Sequence, residues 1–340
     1  MVRQRLVLAV TAAAAIILSA PIAQEAFGFV STAWPRQFDA IAVGATAVPA
    51  GIALLVAVAR IRDRHLVRYG LLAVAVTAGA AYIFVNALGA TESVHFIEYG
   101  LLGVLFYRAW RSVDDVSLFV LPVVAGTIAG IVDEWFQWFI PIRAGEARDI
   151  VLNTVASACG LLFATSLDPP GRLALRLPPG SRVRVARWTA AGLVVFAAFF
   201  LTVHVGYDVG DPEIGSFRSR YSAETLERAS RDRAGRWHTR PPLVQRRLWR
   251  EDQYLTEGLW HVGRRNDAWA DGDVVTAWWE NRILEKFYAP VLDSPTYAGA
   301  AGHRWPAAQR ADAAERAAPR TGPHASEAYA YPLYVWPRVF

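Results

Sequence analysis

The chain has 340 residues, of which 54% are hydrophobic, and its mean hydropathy is +0.23, which excludes an ordinary soluble domain over the whole length. Its formal net charge is +5, and every basic residue except Lys286 is an arginine. The single cysteine, Cys159, excludes an intrachain disulfide and a metal site made of several thiolates.

Seven apolar runs are predicted as membrane-spanning helices. Each is apolar enough for a hydrocarbon core of about 30 Å, and none shows the period-two alternation of a barrel strand. The runs cover residues 6–24, 39–59, 69–89, 94–110, 116–140, 149–167 and 188–206, and the fourth is short. The first run also has the charged start and apolar middle of a secretory signal, and its removal would leave the direction of the later spans unchanged.

Arginines in the short loops predict the orientation, because cytoplasmic loops carry the excess of positive charge. One set of alternating loops contains thirteen arginines: Arg3, Arg5, Arg60, Arg62, Arg64, Arg68, Arg108, Arg111, Arg172, Arg176, Arg182, Arg184 and Arg187. The other set contains three: Arg36, Arg143 and Arg148. This difference places the amino terminus in the cytoplasm and, after seven spans, residues 207–340 outside the membrane.

The chain therefore divides into a membrane part and an extracytoplasmic domain, and the predicted fold is all-α. The predicted parts are two first spans (1–68), a four-span core (69–167), a basic cytoplasmic connector (168–187), a last span (188–206) and a Trp-rich, mainly helical domain with a mobile tail (207–340).

The last domain shows two stretches with helical spacing and no catalytic signature. Leu255, Leu259 and Val262 form one apolar stripe. A second stripe consists of Trp279, Ile283 and Phe287. His238 and His261 are too isolated to indicate a metal site, the Ala/Arg/Pro-rich segment 306–324 is predicted as a mobile linker, and the aromatic segment that follows it is expected to dock back onto the domain.

Polar residues gather at those ends of the fourth, fifth and sixth spans that face the same leaflet. His95, Glu98 and Tyr99 have i, i+3 and i+4 spacing, which puts them on one helix face. Charged groups near hydrocarbon cost about 2.5–3.5 kcal/mol each, so they face a bundle interior or a wet cavity. The candidate residues of this outward-facing polar pocket are His95, Glu98, Asp133, Glu134, Gln137, Arg143, Asp149 and Asn153.

The residue types of this pocket allow several kinds of chemistry. His95 suits proton transfer near neutral pH, with a carboxylate on its other ring nitrogen. Arg143 suits two-point binding of a phosphate or carboxylate. No cofactor is predicted, although Asp133, Glu134 and Asp149 also suit a shared divalent cation. The alternative is an ion-pair clasp in which these groups fix three helices without any chemistry.

Three segments around these residues resemble the VanZ-like family of bacterial membrane proteins. They are HFIEYGLLG from His95 to Gly103, DEWFQWFIPIR from Asp133 to Arg143, and RDIVLNTVASACG from Arg148 to Gly160. The resemblance implies a polytopic protein of the bacterial cell envelope, in a family whose founding member is linked to glycopeptide (teicoplanin) resistance.

Two function classes follow from this reading. In the first, the pocket binds or acts on an anionic lipid-linked headgroup in the outer leaflet, and whether it is an enzyme stays open. In the second, the chain is a non-enzymatic scaffold or partner-binding protein that uses residues 207–340 for recognition. A transporter ranks third because no repeated pattern of broken helices is present. Nucleic-acid binding is not expected, since the positive-inside bias explains the basic loops.

Overall fold

A computed structural model describes residues 2–61, 66–86, 89, 92–140, 143, 145–233, 250–294, 302–317, 324–328 and 333–335. The chain forms two compact units. The first contains residues 1–137 and 145–199, and the second contains residues 138–144 and 200–340.

Seven helices make up the membrane part of the chain. They are α1 (Val2–Ala33), α2 (Phe38–Arg60), α3 (Leu66–Val85), α4 (Val94–Trp110), α5 (Ser117–Trp138), α6 (Ala147–Leu167) and α7 (Pro179–Val203). Within the described ranges, six of them are long and apolar enough to cross a membrane. The exception is α4, which has 17 residues. The predicted polytopic helical architecture is thus confirmed, with six candidate spans where the sequence predicted about seven.

The first unit has a packed centre and an apolar outer surface. Buried side chains of α4, α5 and α6 form the largest part of its core, including Leu102, Phe106 and Leu121. In contrast, α1, α2, α3 and α7 expose many large apolar side chains, such as Leu55 and Leu193. Contiguous exposed apolar surface of this kind marks contact with lipid or with another protein.

The basic loops meet at one end of the first unit. The Arg68 side chain donates to the carbonyls of Ser166 and Leu167, each at 2.8 Å. Arg111 Nε donates to Asp168 Oδ2 at 2.9 Å, and the Tyr107 hydroxyl donates to the carbonyl of Asp168 at 2.6 Å. The start of α3 and the ends of α4 and α6 therefore share one end, as the alternation of the arginine-rich loops predicts.

The second unit is mainly helical, with a small sheet. Its elements are β1 (Val205–Asp211), β2 (Gly215–Ser219), α8 (Ala223–Arg233), α9 (Arg250–Ala270), α10 (Val274–Phe287), α11 (Ala289–Asp293), α12 (Ala307–Ala317) and β3 (Tyr334–Val335). The strand order is β2-β1-β3, with β1 antiparallel to β2 and parallel to β3. The prediction of a mainly helical domain is confirmed, and the small sheet is an addition that the sequence analysis did not predict.

The two apolar stripes predicted for this unit lie on α9 and α10 and contribute to its core. Leu255, Val262, Ile283 and Phe287 are buried there. Residues 307–317, predicted as part of a mobile linker, form α12, which packs against α10. Beyond it, β3 pairs with β1, so this part of the tail docks as expected. His238 lies outside the described residues.

Two helices extend past their predicted ends because hydropathy detects only the apolar part of a helix. The first, α1, continues to Ala33, where an apolar run ending at residue 24 was predicted. The last, α7, begins at Pro179 inside the predicted basic connector and ends at Val203, and the next residues enter β1.

Candidate functional site

Close packing of α4 on α6 positions the site. The Gly160 backbone lies against the Gly100 backbone, and Gly103 lies against the Ser157 backbone, so that a Cβ at Gly103 or Gly160 would overlap main-chain atoms. Small residues that let two backbones approach are the usual means of helix association in membranes. Helices α4 and α6 run in the same direction, and α5, which lies between them in the sequence, runs in the opposite direction. His95 and Asp149 near the starts of α4 and α6 therefore lie at the same end of the unit as Asp133 near the end of α5.

The buried centre of the site is a hydrogen bond between α4 and α5. The Tyr99 hydroxyl donates to Asp133 Oδ2 at 2.9 Å, and both side chains are buried. The helical spacing predicts that Tyr99 shares a face with His95 and Glu98, but it does not indicate the pairing with Asp133. In a low-dielectric interior, a hydroxyl donor to a carboxylate is a strong interaction.

Glu134 fixes the start of α6. Its Oε2 accepts a hydrogen bond from the backbone N–H of Glu146 at 3.0 Å, and the Glu134 side chain is fully buried. Glu146 immediately precedes α6, where backbone N–H groups lack partners within the helix. A carboxylate at this position therefore acts as a cap supplied by the neighbouring helix.

Partly exposed charged side chains lie at the same end of the unit as this buried centre, and we call them the rim: Glu92, His95, Glu98, Glu146, Arg148 and Asp149. Arg148 Nη2 pairs with Glu92 Oε1 at 3.0 Å, and Arg148 Nε lies 3.9 Å from Glu146 Oε2 and 3.7 Å from Asp149 Oδ1. His95 Nδ1 lies 3.7 Å from Glu98 Oε2. The Arg148 side chain is 57% exposed, so its ion pairs are open to solvent, whereas the His95 side chain is 15% exposed.

Of the predicted site residues, the first unit contains all except Arg143. Gln137 is buried near the end of α5, and Asn153 is buried six residues after the start of α6. Arg143 belongs to residues 138–144 of the second unit, where its backbone N–H donates to the carbonyl of Ile140 at 3.2 Å, and its part in the site stays a prediction. Arg148, which supplies the ion pairs described above, is not among the residues predicted for the site, because its position in a short loop explains it equally well as part of the charge bias.

Over the described ranges, no group of three or more His, Cys, Asp or Glu side chains has an arrangement that could hold a metal ion. The rim acids Glu92, Glu146 and Asp149 instead pair with Arg148.

The second unit contains a buried carboxylate that the sequence did not reveal as a site. Glu280 Oε2 is 2.7 Å from His261 Nδ1, and Glu280 Oε1 accepts from Ser326 Oγ at 2.5 Å and lies 3.3 Å from His324 Nε2. Burial alone would raise the pKa of Glu280, but these hydrogen bonds outweigh it and hold the pKa at about 2, below its ordinary 4.5. The cluster fastens the segment of Ser326 to α10.

A similar arrangement surrounds Glu257. Its Oε2 accepts from Ser219 Oγ at 2.6 Å and from the Tyr288 hydroxyl at 2.9 Å, and its Oε1 accepts from the Arg220 backbone N–H at 2.9 Å. Burial and the Glu257 charge raise the pKa of Tyr288 well above its ordinary value, so the phenol stays a donor. Both carboxylates connect separate segments of the second unit through these hydrogen bonds.

The family model of VanZ/LLP1 matches residues 54–168, about a third of the chain. The matched residues extend from α2 to the end of α6 and include the buried centre and the rim, which confirms the VanZ-like resemblance over this segment. No curated protein and no solved structure matches the chain.

Proposed function

We propose that this VanZ-like, multi-pass membrane protein binds the headgroup of a membrane lipid at the polar cluster of α4, α5 and α6. The observation that supports the proposal most is the gradient of exposure across the cluster. The Arg148 side chain is 57% exposed and that of His95 is 15% exposed, whereas Asp133 and Glu134 are buried. Such a gradient suits a ligand that enters from the level of the lipid headgroups.

The charges of the cluster define the class of headgroup. The part of the cluster that lies in the first unit has two basic groups, Arg148 and His95. Its acids outnumber them: Glu92, Glu98, Asp133, Glu134, Glu146 and Asp149. A bare phosphate would be repelled by this excess. The ligand we propose is therefore an anionic lipid-linked precursor that also carries hydroxyl or amino groups, so that Arg148 binds the phosphate and the acids accept from the donors.

We propose that the rim lies at the outer leaflet of a bacterial cytoplasmic membrane. The support is the grouping of the arginine-rich loops at the end that holds Arg68 and Asp168, away from the rim. A relation to glycopeptide resistance would fit an envelope-lipid ligand, and it rests on the family resemblance.

Lipid retention tests this proposal. The chain and its Arg148→Gln variant are purified in mild detergent, and co-purified lipids are identified by native mass spectrometry. Loss of Arg148 is expected to reduce a retained phosphate-bearing lipid by at least about tenfold, because a charge-assisted hydrogen bond contributes about 1.5–3 kcal/mol. The matched control is Arg172→Gln, which removes an exposed arginine from the connector between α6 and α7 and should leave the lipid unchanged.

Equal lipid profiles for the chain and both variants would contradict the proposal and favour a scaffold. Two contacts support that second candidate, because the Tyr99–Asp133 and Glu134–Glu146 hydrogen bonds join neighbouring helices whatever the ligand. In a scaffold, changes at these contacts would lower the amount of folded protein, and recognition would fall to the second unit.

A further inference from the structure

A line of buried polar side chains continues from the rim into the interface between α5 and α6. It consists of Asp133, Asn153 and Ser157, and we call it the polar seam. Asn153 packs against Gly130, with its Cβ 2.9 Å from the position of a Gly130 Cβ, and Ser157 Oγ packs against Gly126. The two glycines and the two polar residues are each four apart, so they match turn by turn along the interface.

All three residues of the polar seam have polar atoms without a hydrogen-bond partner among the residues that the structure describes. These atoms are Asp133 Oδ1, both Asn153 amide atoms and Ser157 Oγ, and the three residues are at most 1% exposed. Other hydroxyl groups of these helices are satisfied locally. Thr127 and Thr154, for example, donate to the carbonyls of Val123 and Ile150 at 2.9 and 2.8 Å.

Such atoms are costly inside a candidate membrane span. An unsatisfied polar group in hydrocarbon costs several kcal/mol, and no bulk solvent is present there to compensate. The polar seam holds unsatisfied atoms of both kinds, since the Asn153 amide nitrogen donates while Asp133 Oδ1 and the Asn153 carbonyl accept. A small ligand that both donates and accepts would satisfy the whole line.

The depth of the polar seam can be read from α6. Asp149 lies at the rim, and Ser157 is eight residues further along the helix, which corresponds to about 12 Å. The next residue on the same helix face, Leu161, is buried and apolar, as is Leu121 on α5. The polar seam therefore ends near the middle of the span and does not cross it.

We propose that the polar seam is a blind inlet for water, open at the rim and closed beyond Ser157. Water molecules hydrogen-bond to Asp133, Asn153 and Ser157 in turn, as buried waters do where a protein leaves polar groups unpaired. The inlet brings water to Asp133 inside the bundle, and it does not depend on the ligand at the rim being a lipid.

Thiol accessibility tests the inlet, and the chain suits this method because Cys159 is its only cysteine. In a Cys159→Ala background, Ser157→Cys and Asn153→Cys are reconstituted in nanodiscs and treated with methanethiosulfonate ethylammonium. Modification is followed by intact mass. The matched control is Ala156→Cys, because Ala156 is equally buried and at the same depth, but its backbone faces Gly100 of α4.

The inlet predicts that the two seam cysteines react at least about tenfold faster than the control, a difference of about 1.4 kcal/mol in the barrier to access. Arg148→Cys at the exposed rim should react fastest. Seam cysteines that react as slowly as Ala156→Cys would overturn the proposal. The result does not depend on lipid binding, because the assay measures only the access of water-soluble reagent to the cysteines. Failure of the inlet proposal and failure of the lipid proposal can therefore be distinguished.

A second measurement on the unsubstituted chain guards against variants that do not fold. Hydrogen exchange of α6 is compared between residues 153–157 and residues 161–165. Water in the polar seam predicts faster exchange in the first segment, and slower or equal exchange there would overturn the inlet.

Discussion

Replacing Glu280 by alanine is expected to destabilise the second unit by about 3–5 kcal/mol, the usual cost of removing one partner from a buried ionic network. The substitution leaves His261 buried without its carboxylate and releases Ser326 and His324 from α10. Hydrogen exchange of α10 within the full chain measures this loss, with the segment 324–328 expected to be freed as well.

The matched control is Glu285→Ala on the same helix. Glu285 pairs with Arg310 through two hydrogen bonds of 2.6 and 2.9 Å, but the pair is partly exposed. Exposed pairs contribute about 0–1 kcal/mol, so this variant should exchange almost as the unsubstituted chain does. Equal effects of the two substitutions would show that the Glu280 cluster does not contribute more to the stability of this unit than an exposed ion pair does.

The dependence of stability on acidic pH tests the same cluster independently. The pKa of Glu280 is about 2 in the folded unit, against an ordinary value of 4.5. Its contribution to stability is therefore complete above about pH 4.5 and is lost as the pH falls towards 2. The Glu280→Ala variant should lose this part of the acid sensitivity, because it has no carboxylate to protonate.

Replacing Gly160 by valine should disrupt the membrane unit more than any single change at the rim. A side chain at this position overlaps the Gly100 backbone, which cannot move away as a flexible side chain could. Overpacking costs about 1–3 kcal/mol and more where backbone must shift, and we expect about 3 kcal/mol or more here. The thermal midpoint of the detergent-solubilised chain and the yield of monodisperse protein measure the effect.

The control for this prediction is Gly70→Val. Gly70 also lies in an apolar helix of the first unit, but nothing approaches the position of its Cβ. The Gly70→Val variant should have nearly the same thermal midpoint as the unsubstituted chain, because surface substitutions change the free energy of unfolding by only about 0.5 kcal/mol. A Gly160→Val chain as stable as Gly70→Val would mean that α4 and α6 do not pack through their backbones.

The membrane helices could be predicted from the sequence because burial in lipid requires long apolar runs and internally satisfied backbones. The C-terminal helices could be predicted as well, since the stripes of Leu255 and Ile283 repeat with helical spacing. The sheet could not. Its strands are short, and β3 joins β1 across more than a hundred residues, so no local pattern indicates the pairing.

The polar cluster could be predicted in part for the same reason. Spacing within one helix indicates that His95 and Glu98 share a face, and the chain direction brings the ends of three helices together. The pairings between helices depend on rotation and depth, which a sequence does not give. Tyr99 with Asp133, and Arg148 with Glu92, are pairs of that kind.

A cryo-electron microscopy map of the chain in nanodiscs prepared with envelope lipids would show whether the rim binds a lipid headgroup. We expect density for a headgroup at Arg148 and His95, with its phosphate near the guanidinium of Arg148. If lipid lines only the apolar faces of α1, α2, α3 and α7, while Arg148 keeps its pairs with Glu92 and Asp149, the rim does not bind a headgroup.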